Sequence, residues 1–467
     1  MTTATALTVS PELARARRGF AGYDWANSGF ITVVTTAVGG PFLDHLATTG
    51  TPLRGFGISL APSLVLPATL VLAVMVQVVL LPILGRKVDR GVDPASLIRR
   101  LAIGGGAAAV ALSLAPTWHL AALATAAATV CFGAAMVPYN SLLPRLAPGR
   151  AADKLSARAF ATGYLGGGLL LAASLALLTV QPFGLGKETG VRVAIAAAGL
   201  WWAGFALLAC RLMADPPAAA PAPERVGVIS LLRDLPQLRL AVLGSLLLGD
   251  AVGAVVALSA TVLTHELWTA KGLPAADATA TLLTVVLLIQ VLAAPAALLV
   301  GRIAGRVGAK PVLLACMAGW VAVLANAYFG LTQMRDVWVL AVGVAAVLGG
   351  SQTLARSLVS QCTPPGNSGA VFALTQLAER GTAWMGPSIF GVVVAVTGSY
   401  RGALASLLVL FVAAALVLSR IRPETGVQQA LSYDAAAIYQ ARRLALPNAQ
   451  VPTQRGRTAY TLRFLGK

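Results

Sequence analysis

Few charged residues fall inside long apolar runs of this chain, and Asp250 is the clearest case. It lies within the run 238–263, roughly 18 Å along a helix from its first residue. An ionised group at that depth of a bilayer costs about 2.5–3.5 kcal/mol on insertion scales, so it needs a reason to be there. We hypothesise that Asp250 binds a proton or a cationic group of a ligand. The alternative is a hydrogen bond between helices to Ser, Thr or Gln.

Asp24 and Asn27 lie near the start of another apolar run, 23–43. Asp24 is a candidate for binding the substrate or a proton. Because it is expected near the lipid head groups, the alternative is a helix cap or a pair with a loop arginine. Asn27 is a candidate for lining a polar cavity, with a hydrogen bond between packed helices as the alternative.

A second group of polar residues lies in three other apolar runs. Tyr164, Gln352 and Gln376 are candidates for lining a polar cavity. Glu379 is a candidate coupling acid. Arg380 follows it directly, so the two side chains point about 100° apart on a helix, and snorkelling towards the head groups is the simpler interpretation for both.

Arg158 and Arg356 are expected at helix ends, one opening span 5 and the other closing span 10. We interpret both as gating residues or as contacts to head groups.

The chain gives little support to an enzyme. Its histidines and four cysteines match no metal-binding spacing, and no phosphate-binding Gly-x-x-x-x-Gly-Lys-Ser/Thr motif occurs. We expect no catalytic residues, no metal and no cofactor. The net charge of +18 does not indicate nucleic acid, because the basic residues alternate with apolar runs rather than forming one basic face.

The composition indicates a protein that crosses the membrane many times. Of 467 residues, 57% are hydrophobic and 11% are charged, against about 25% charged in a soluble protein. A spanning helix needs roughly 20 mainly apolar residues. Twelve such spans are predicted, at 23–43, 58–84, 97–115, 119–138, 159–180, 191–210, 238–263, 278–300, 311–331, 337–355, 372–397 and 401–420.

The basic residues test this map. With the N-terminus in the cytoplasm, 28 Lys and Arg fall in cytoplasmic segments and six fall outside. The positive-inside rule predicts such a bias, and one missed span would invert every later loop. We therefore expect an all-α protein with twelve spans, both termini cytoplasmic, in the plasma or inner membrane.

The connection 211–237 is the longest and contains an Ala/Pro run, which is typical of a flexible linker. It divides the chain into predicted domains: a cytoplasmic N-terminus, 1–22; a six-helix bundle, 23–210; the linker, 211–237; a second six-helix bundle, 238–420; and a basic cytoplasmic tail, 421–467.

Two loops after spans 2 and 8 repeat a pattern of glycine and arginine. The first contains Gly85, Asp89 and Arg90, and the second contains Gly301, Gly305 and Arg306. Both resemble the Gly-x-x-x-Asp-Arg loop signature of the major facilitator superfamily. Asp89 can pair with an arginine and accept bonds from a helix N-terminus, forming a latch. The second copy has Gly305 in place of the acid.

The run Tyr23-Asp24-Trp25-Ala26-Asn27-Ser28 resembles the signature of the "unknown major facilitator" transporters, which include autophagy-related vacuolar amino-acid effluxers of fungi. Further similar segments follow in order: Tyr139–Pro144, Gly163–Gly167, Gly349–Ser357, Gly386-Pro387 and Ser399–Arg401. The usual Asn-Asp-Gly-like triplet of span 7 is reduced to Gly249-Asp250-Ala251. The Gly386-Pro387 pair is expected to kink span 11, because proline removes a helical hydrogen bond.

This resemblance implies a secondary transporter that moves a small solute by alternating access between two bundles, with export of amino acids or related metabolites as the first expectation. Proton coupling and a monomer in the lipid bilayer are further expectations. The alternatives are a multidrug or sugar exporter, and a membrane scaffold or sensor that does not transport.

Overall fold

A computed structural model describes residues 10–50, 53–55, 58–184, 186–213, 227–274 and 278–445 of the chain. The Ala/Pro run of the predicted linker and the end of the predicted tail lie outside the described residues.

Almost all of the described chain is helical. The α-helices are α1 Pro11–Phe30, α2 Gly39–Thr49, α3 Val65–Asp89, α4 Pro94–Leu114, α5 Trp118–Ser141, α6 Leu143–Leu146, α7 Ala151–Val180, α8 Lys187–Met213, α9 Val228–Asp234, α10 Pro236–Leu267, α11 Ala278–Val307, α12 Ala309–Phe329, α13 Met334–Gln361, α14 Ser368–Thr382, α15 Met385–Thr397, α16 Tyr400–Ser406, α17 Leu408–Ser419 and α18 Pro423–Ala445.

Two short features interrupt this pattern. The segment Ile31–Val38 is π-helical and joins α1 to α2 without a break. It is rich in β-branched residues, which crowd the preceding turn of an α-helix. A small antiparallel hairpin, β1 Leu53–Gly55 and β2 Ile58–Leu60, connects α2 to α3.

Eleven helical segments in the described residues are long and apolar enough to cross a membrane. In order, they coincide with predicted spans 1–10 and 12. Span 11 consists instead of α14 and α15, separated by a turn at Ala383 and Trp384. The predicted kink is therefore confirmed. Its position has a direct cause, because Pro387 cannot donate the bond that Ala383 would accept in a continuous helix.

Several helices extend further than the sequence indicated. The helix of span 1 begins at Pro11 instead of residue 23, where Ser10 accepts a bond from the Leu13 amide at 3.2 Å and proline occupies the first position. Such a cap with proline at the first position is a typical helix start. Span 10 continues to Gln361 and span 5 starts at Ala151. Arg356 and Arg158 are therefore inside helices rather than at their ends, which corrects the prediction.

The buried apolar side chains form two main clusters. One draws on helices from α1 to α8 and includes Phe20, Tyr139 and Trp202. The other draws on helices from α9 to α17 and includes Trp320 and Phe411. We call these groups of helices the N-terminal bundle and the C-terminal bundle.

The two bundles meet along two pairs of helices, α3 with α14 and α7 with α11. Helix α13 also packs on α7, and α14 packs on α5. Helices α3, α11 and α13 end on the side of the molecule where α7 and α14 begin. We call this side the basic end, because it carries Arg86, Arg145 and Arg302.

Candidate functional site

A buried ion pair joins the bundles near the basic end. Both Nη1 and Nη2 of Arg356, on α13, lie 3.3 Å from Oδ2 of Asp24, on α1. Each side chain is only 10% exposed. The expected partners of Asp24 were its own helix end or a loop arginine, and the structure corrects this: the partner is an arginine inside a helix. It also excludes a head-group contact for Arg356.

Other groups complete the surroundings of this pair. Arg356 Nε donates to Ser156 Oγ at 3.0 Å, and its guanidinium lies 4.2 Å from the centre of the Phe160 ring. Asn27 Nδ2 donates to the other oxygen of Asp24 at 3.3 Å. Asn27 therefore supports the pair, and the cavity-lining role stays a prediction. A buried pair is tolerable only when further hydrogen bonds satisfy both ions, as these do.

Closer to the basic end, the fully buried Asp153 of α7 connects to α13. Its Oδ1 accepts from Ser357 Oγ at 2.5 Å and from Gln361 Nε2 at 2.8 Å. Its Oδ2 is buried without a hydrogen-bond partner in the described part of the chain. One turn beyond the ion pair, Tyr164 donates to Gln352 Oε1 at 2.9 Å. These two predicted cavity residues therefore contact each other across the interface.

Asp153 and Ser156 were not predicted as site residues, although the sequence carries a signal for them. Asp153, Ser156, Phe160 and Tyr164 recur at intervals of three or four residues, so they share one face of α7. A stripe that places Asp153, Ser156 and Tyr164 on one face of an apolar helix indicates a polar partner, here α13.

Asp89 ties α3 to the first turn of α14. Its Oδ1 accepts from the Gly369 amide at 2.7 Å and its Oδ2 from the Ala370 amide at 2.8 Å. The predicted bonds to a helix N-terminus are therefore confirmed. Gly85 permits this approach, because a Cβ there would lie 2.6 Å from the Gly369 carbonyl oxygen.

The remaining predicted latch residues form a less connected set. Arg90, Arg158 and Arg306 are exposed. Gly305 lies against α7, where a Cβ added to it would approach Cε of Lys154 to 2.5 Å. The second loop therefore contributes a close helix contact at Gly305, where the first contributes the Asp89 cap.

Asp250 lies inside α10 and faces the break between α14 and α15. Its Oδ2 accepts from the Gly386 amide at 3.1 Å. Gly386 is in the first turn of α15, whose amides lack helical acceptors. The partner is thus a backbone amide, not the Ser, Thr or Gln side chain considered as the alternative to proton binding.

Gln376, Glu379 and Arg380 form a cluster on α14. Gln376 Nε2 donates to Glu379 Oε2 at 2.7 Å, and Arg380 Nη1 donates to the Gln376 carbonyl oxygen at 2.6 Å and to its Oε1 at 3.2 Å. The snorkelling predicted for Glu379 and Arg380 is therefore wrong, because both side chains are half-buried and bonded to Gln376. The described residues contain no group of three or more His, Cys, Asp or Glu that could hold a metal ion.

Helix α18, in the predicted tail, packs under the basic end. Its Asp434 accepts from the Gly366 amide at 3.3 Å, and its Glu424 forms an exposed ion pair with Arg150 at 3.3 Å. Burial raises the pKa of Asp434 to about 6, against opposing effects of the Gly366 amide and of nearby Arg145.

Solved structures of membrane transporters share this fold. A fucose transporter, FucP, in the outward conformation has a TM-score of 0.64 at 14% identity, covering 88% of this chain and 98% of that one. The human organic anion transporter MFSD10 gives a TM-score of 0.64 at 14% identity, covering 88% of this chain and 100% of that one. The two bundles and their arrangement are therefore the fold of the major facilitator transporters.

The family follows from the sequence comparisons. The model of the family "Vacuole effluxer Atg22 like" matches residues 14–431, and the chain belongs to that family. An uncharacterised major-facilitator-type transporter of Bacillus subtilis, YxiO, is 27% identical over 420 residues, covering 86% of this chain and 94% of that protein. Autophagy-related protein 22 of Cryptococcus neoformans is 26% identical over 312 residues, covering 60% of this chain and 52% of that protein. The expected family and fold class are thus confirmed.

Proposed function

We propose that this chain exports a small solute, with amino acids or related metabolites as the first class, by alternating access between the two bundles. The observation that carries this proposal is the buried Asp24–Arg356 pair between α1 and α13. The name of the family, a vacuole effluxer, supports export for this chain as well. No enzymatic step is part of the proposal.

The described contacts support a state that is closed at the basic end. Asp89, Asp153, Asp24 and Tyr164 each bond to the C-terminal bundle, at successive depths from the basic end towards the middle of the membrane. Opening at this end must break all four sets of bonds and admit water to the buried charges. The gate can therefore reverse, because water can hydrate the separated ions at little cost compared with apolar surroundings.

The predicted latch residues fit into this gate in different ways. Gly85 and Asp89 close α3 on α14, Gly305 closes α11 on α7, and Arg356 closes α13 on α1. Arg90, Arg158 and Arg306 lie exposed around the gate, where they can contact anionic head groups.

Asp250 is proposed as the proton site. It is buried, its only described bond goes to the Gly386 amide, and it adjoins the break in the helix that faces α10. Protonation would weaken that bond and loosen α15 from α10, which couples the proton to a helix movement.

The proposed setting is a monomer in the plasma or inner membrane, with both termini and the basic end in the cytoplasm. The excess of Lys and Arg in the loops of that end supports this orientation. The two hydrophobic clusters support two moving bodies, with the predicted bounds 23–210 and 238–420 and the linker 211–237 between them.

A flux screen in proteoliposomes with an imposed pH gradient tests the function. We expect one or more amino acids or related metabolites to move, faster in the presence of the gradient. If only sugars or drugs move, the protein is a sugar or multidrug exporter, and amino acids are not its solute class. No flux of any solute, together with a stable protein partner in pull-downs, would favour a scaffold or sensor instead.

A further inference from the structure

One arginine in the interface has donors that no described residue uses. The guanidinium of Arg380 reaches from α14 towards α5: its Nη2 lies 2.4 Å from the point where a Cβ would stand on Gly133. Its described hydrogen bonds both leave from Nη1 and end on Gln376. Its Nε and Nη2 edge, the one suited to a bidentate carboxylate, has no acceptor among the described residues.

An unpaired acceptor lies beside this arginine. Gln77 of α3 is fully buried, and its Nε2 donates to the Thr129 carbonyl oxygen at 2.8 Å. Its Oε1 is buried without a hydrogen-bond partner in the described chain. The same Gly133 that gives room to Arg380 also gives room to Gln77, whose Nε2 lies 2.6 Å from that Cβ position. A buried unpaired carbonyl is costly, so a donor from a ligand would stabilise it.

The two groups lie deep in the membrane, at the meeting of the bundles. Arg380 is 11 residues from the Asp89 contact at Gly369, which places it roughly 16 Å from the basic end along α14. Gln77 is 12 residues before Asp89 on α3, which gives roughly 18 Å. Both depths correspond to the middle of a hydrocarbon core about 30 Å thick.

We propose that Arg380 and Gln77 form the binding site for the transported solute, with Arg380 holding a carboxylate and Gln77 Oε1 accepting from a donor group of the same molecule. The site extends the proposed function and rests on it. Glu379, which accepts from Gln376 at 2.7 Å, gives this cluster a negative group as well as the positive Arg380, and a zwitterion likewise carries charges of both signs. A neutral solute would leave the free edge of Arg380 unpaired in an apolar interface.

The test uses the purified full-length protein in nanodiscs and measures equilibrium binding of the common amino acids and of their amides, which lack the carboxylate. We expect amino acids to bind at least about tenfold more tightly than the amides, as a charge-assisted bidentate pair implies. Arg380→Gln should remove this preference, because it weakens the binding of amino acids and leaves the binding of amides nearly unchanged. Arg380→Lys should keep part of it, because the charge remains.

Two further variants test the role of Gln77 and provide a control. Gln77→Leu should weaken the binding of amino acids and of amides alike, because both compounds keep the amine from which Oε1 accepts a hydrogen bond. Arg239→Gln removes an exposed arginine on α10 and serves as the control. The proposed binding site is wrong if a folded Arg380→Gln protein keeps the wild-type preference for the carboxylate, or if the wild type prefers amides. Neither result would contradict the proposed transport function. If wild type neither binds nor moves any of these compounds, the site and the proposed solute class both fail.

Discussion

Oδ2 of Asp24 accepts from both Nη1 and Nη2 of Arg356 at 3.3 Å, although 332 residues separate the two in the chain. The pair connects the first helix of the N-terminal bundle to α13 of the C-terminal bundle, and each of its side chains is 10% exposed. In the proposed mechanism this bond holds the state closed at the basic end and breaks in the open one.

Asp24→Asn should loosen the basic end, because Arg356 then keeps a buried charge without its counter-ion. Removing one partner of a buried pair costs about 3–5 kcal/mol. We expect a lower melting temperature and faster labelling of a cysteine at Ala161, which is 2% exposed in the interface. The double variant Asp24→Asn, Arg356→Gln should lose less free energy of unfolding than the two single variants combined, since it leaves no buried charge unpaired.

The matched control is Glu188→Gln, which removes the ion pair with Arg192 at 2.9 Å within the N-terminal bundle. It should leave the labelling of Ala161→Cys unchanged. Equal labelling rates in Asp24→Asn and the control would contradict the role of the pair.

Asp89→Ala should remove the cap of α14 and cost about 1 kcal/mol, as other lost N-caps do. Asp93 offers a close comparison, because it caps α4 within its own bundle through the Ala95 and Ser96 amides. Both variants should melt at lower temperature, but only Asp89→Ala should speed labelling in the interface. Faster labelling in both would reduce Asp89 to a simple structural cap.

Asp250→Asn should fold, because the amide oxygen can still accept from Gly386. The side chain can no longer exchange a proton, so transport should be lost or should no longer depend on the pH gradient. Flux in proteoliposomes at several pH values checks this. Normal flux that still follows the gradient would exclude Asp250 as the proton site.

The membrane architecture could be predicted because composition, loop charge and span length are local properties of the sequence. The cap by Asp89 and the kink before Pro387 were predictable too, since each follows from one residue type and its neighbours. The partner of Asp24 was not, because it depends on which helices face each other. Arg380 was misjudged for the same reason: its depth is visible in the sequence, but the space beside Gly133 that receives it is not.

The docking of α18 should depend on pH through Asp434. The ordinary pKa of 3.8 is raised to about 6 by burial, so the docked helix prefers the neutral acid. Its contribution is therefore complete below about pH 4 and is lost as the pH rises through about 6. The charged groups that face it are Arg145, which opposes this shift, and Asp89, which repels its charged form.

Hydrogen exchange of α18 should consequently be slower at pH 5 than at pH 7.5, after correction for the intrinsic rate. Asp434→Asn should remove the difference. A helix that exchanges equally at both pH values in the wild type would show that this carboxyl does not control docking.

We expect the basic end to open and close during transport, which a reversible cross-link between the two bundles can test. Lys154 and Gly305 lie on facing helices of the two bundles, with Cγ of Lys154 3.4 Å from a Cβ built on Gly305. The comparison pair is Gly319 and Val347, both in the C-terminal bundle, with a Cβ on Gly319 3.8 Å from Cβ of Val347.

The measurement is efflux of a preloaded amino-acid mixture from proteoliposomes, before oxidation, after oxidation and after reduction. For the pair Lys154→Cys and Gly305→Cys we predict that oxidation stops efflux and reduction restores it. For Gly319→Cys and Val347→Cys, oxidation should change nothing. Efflux that continues through a fully cross-linked Lys154→Cys, Gly305→Cys protein would contradict alternating access through this gate.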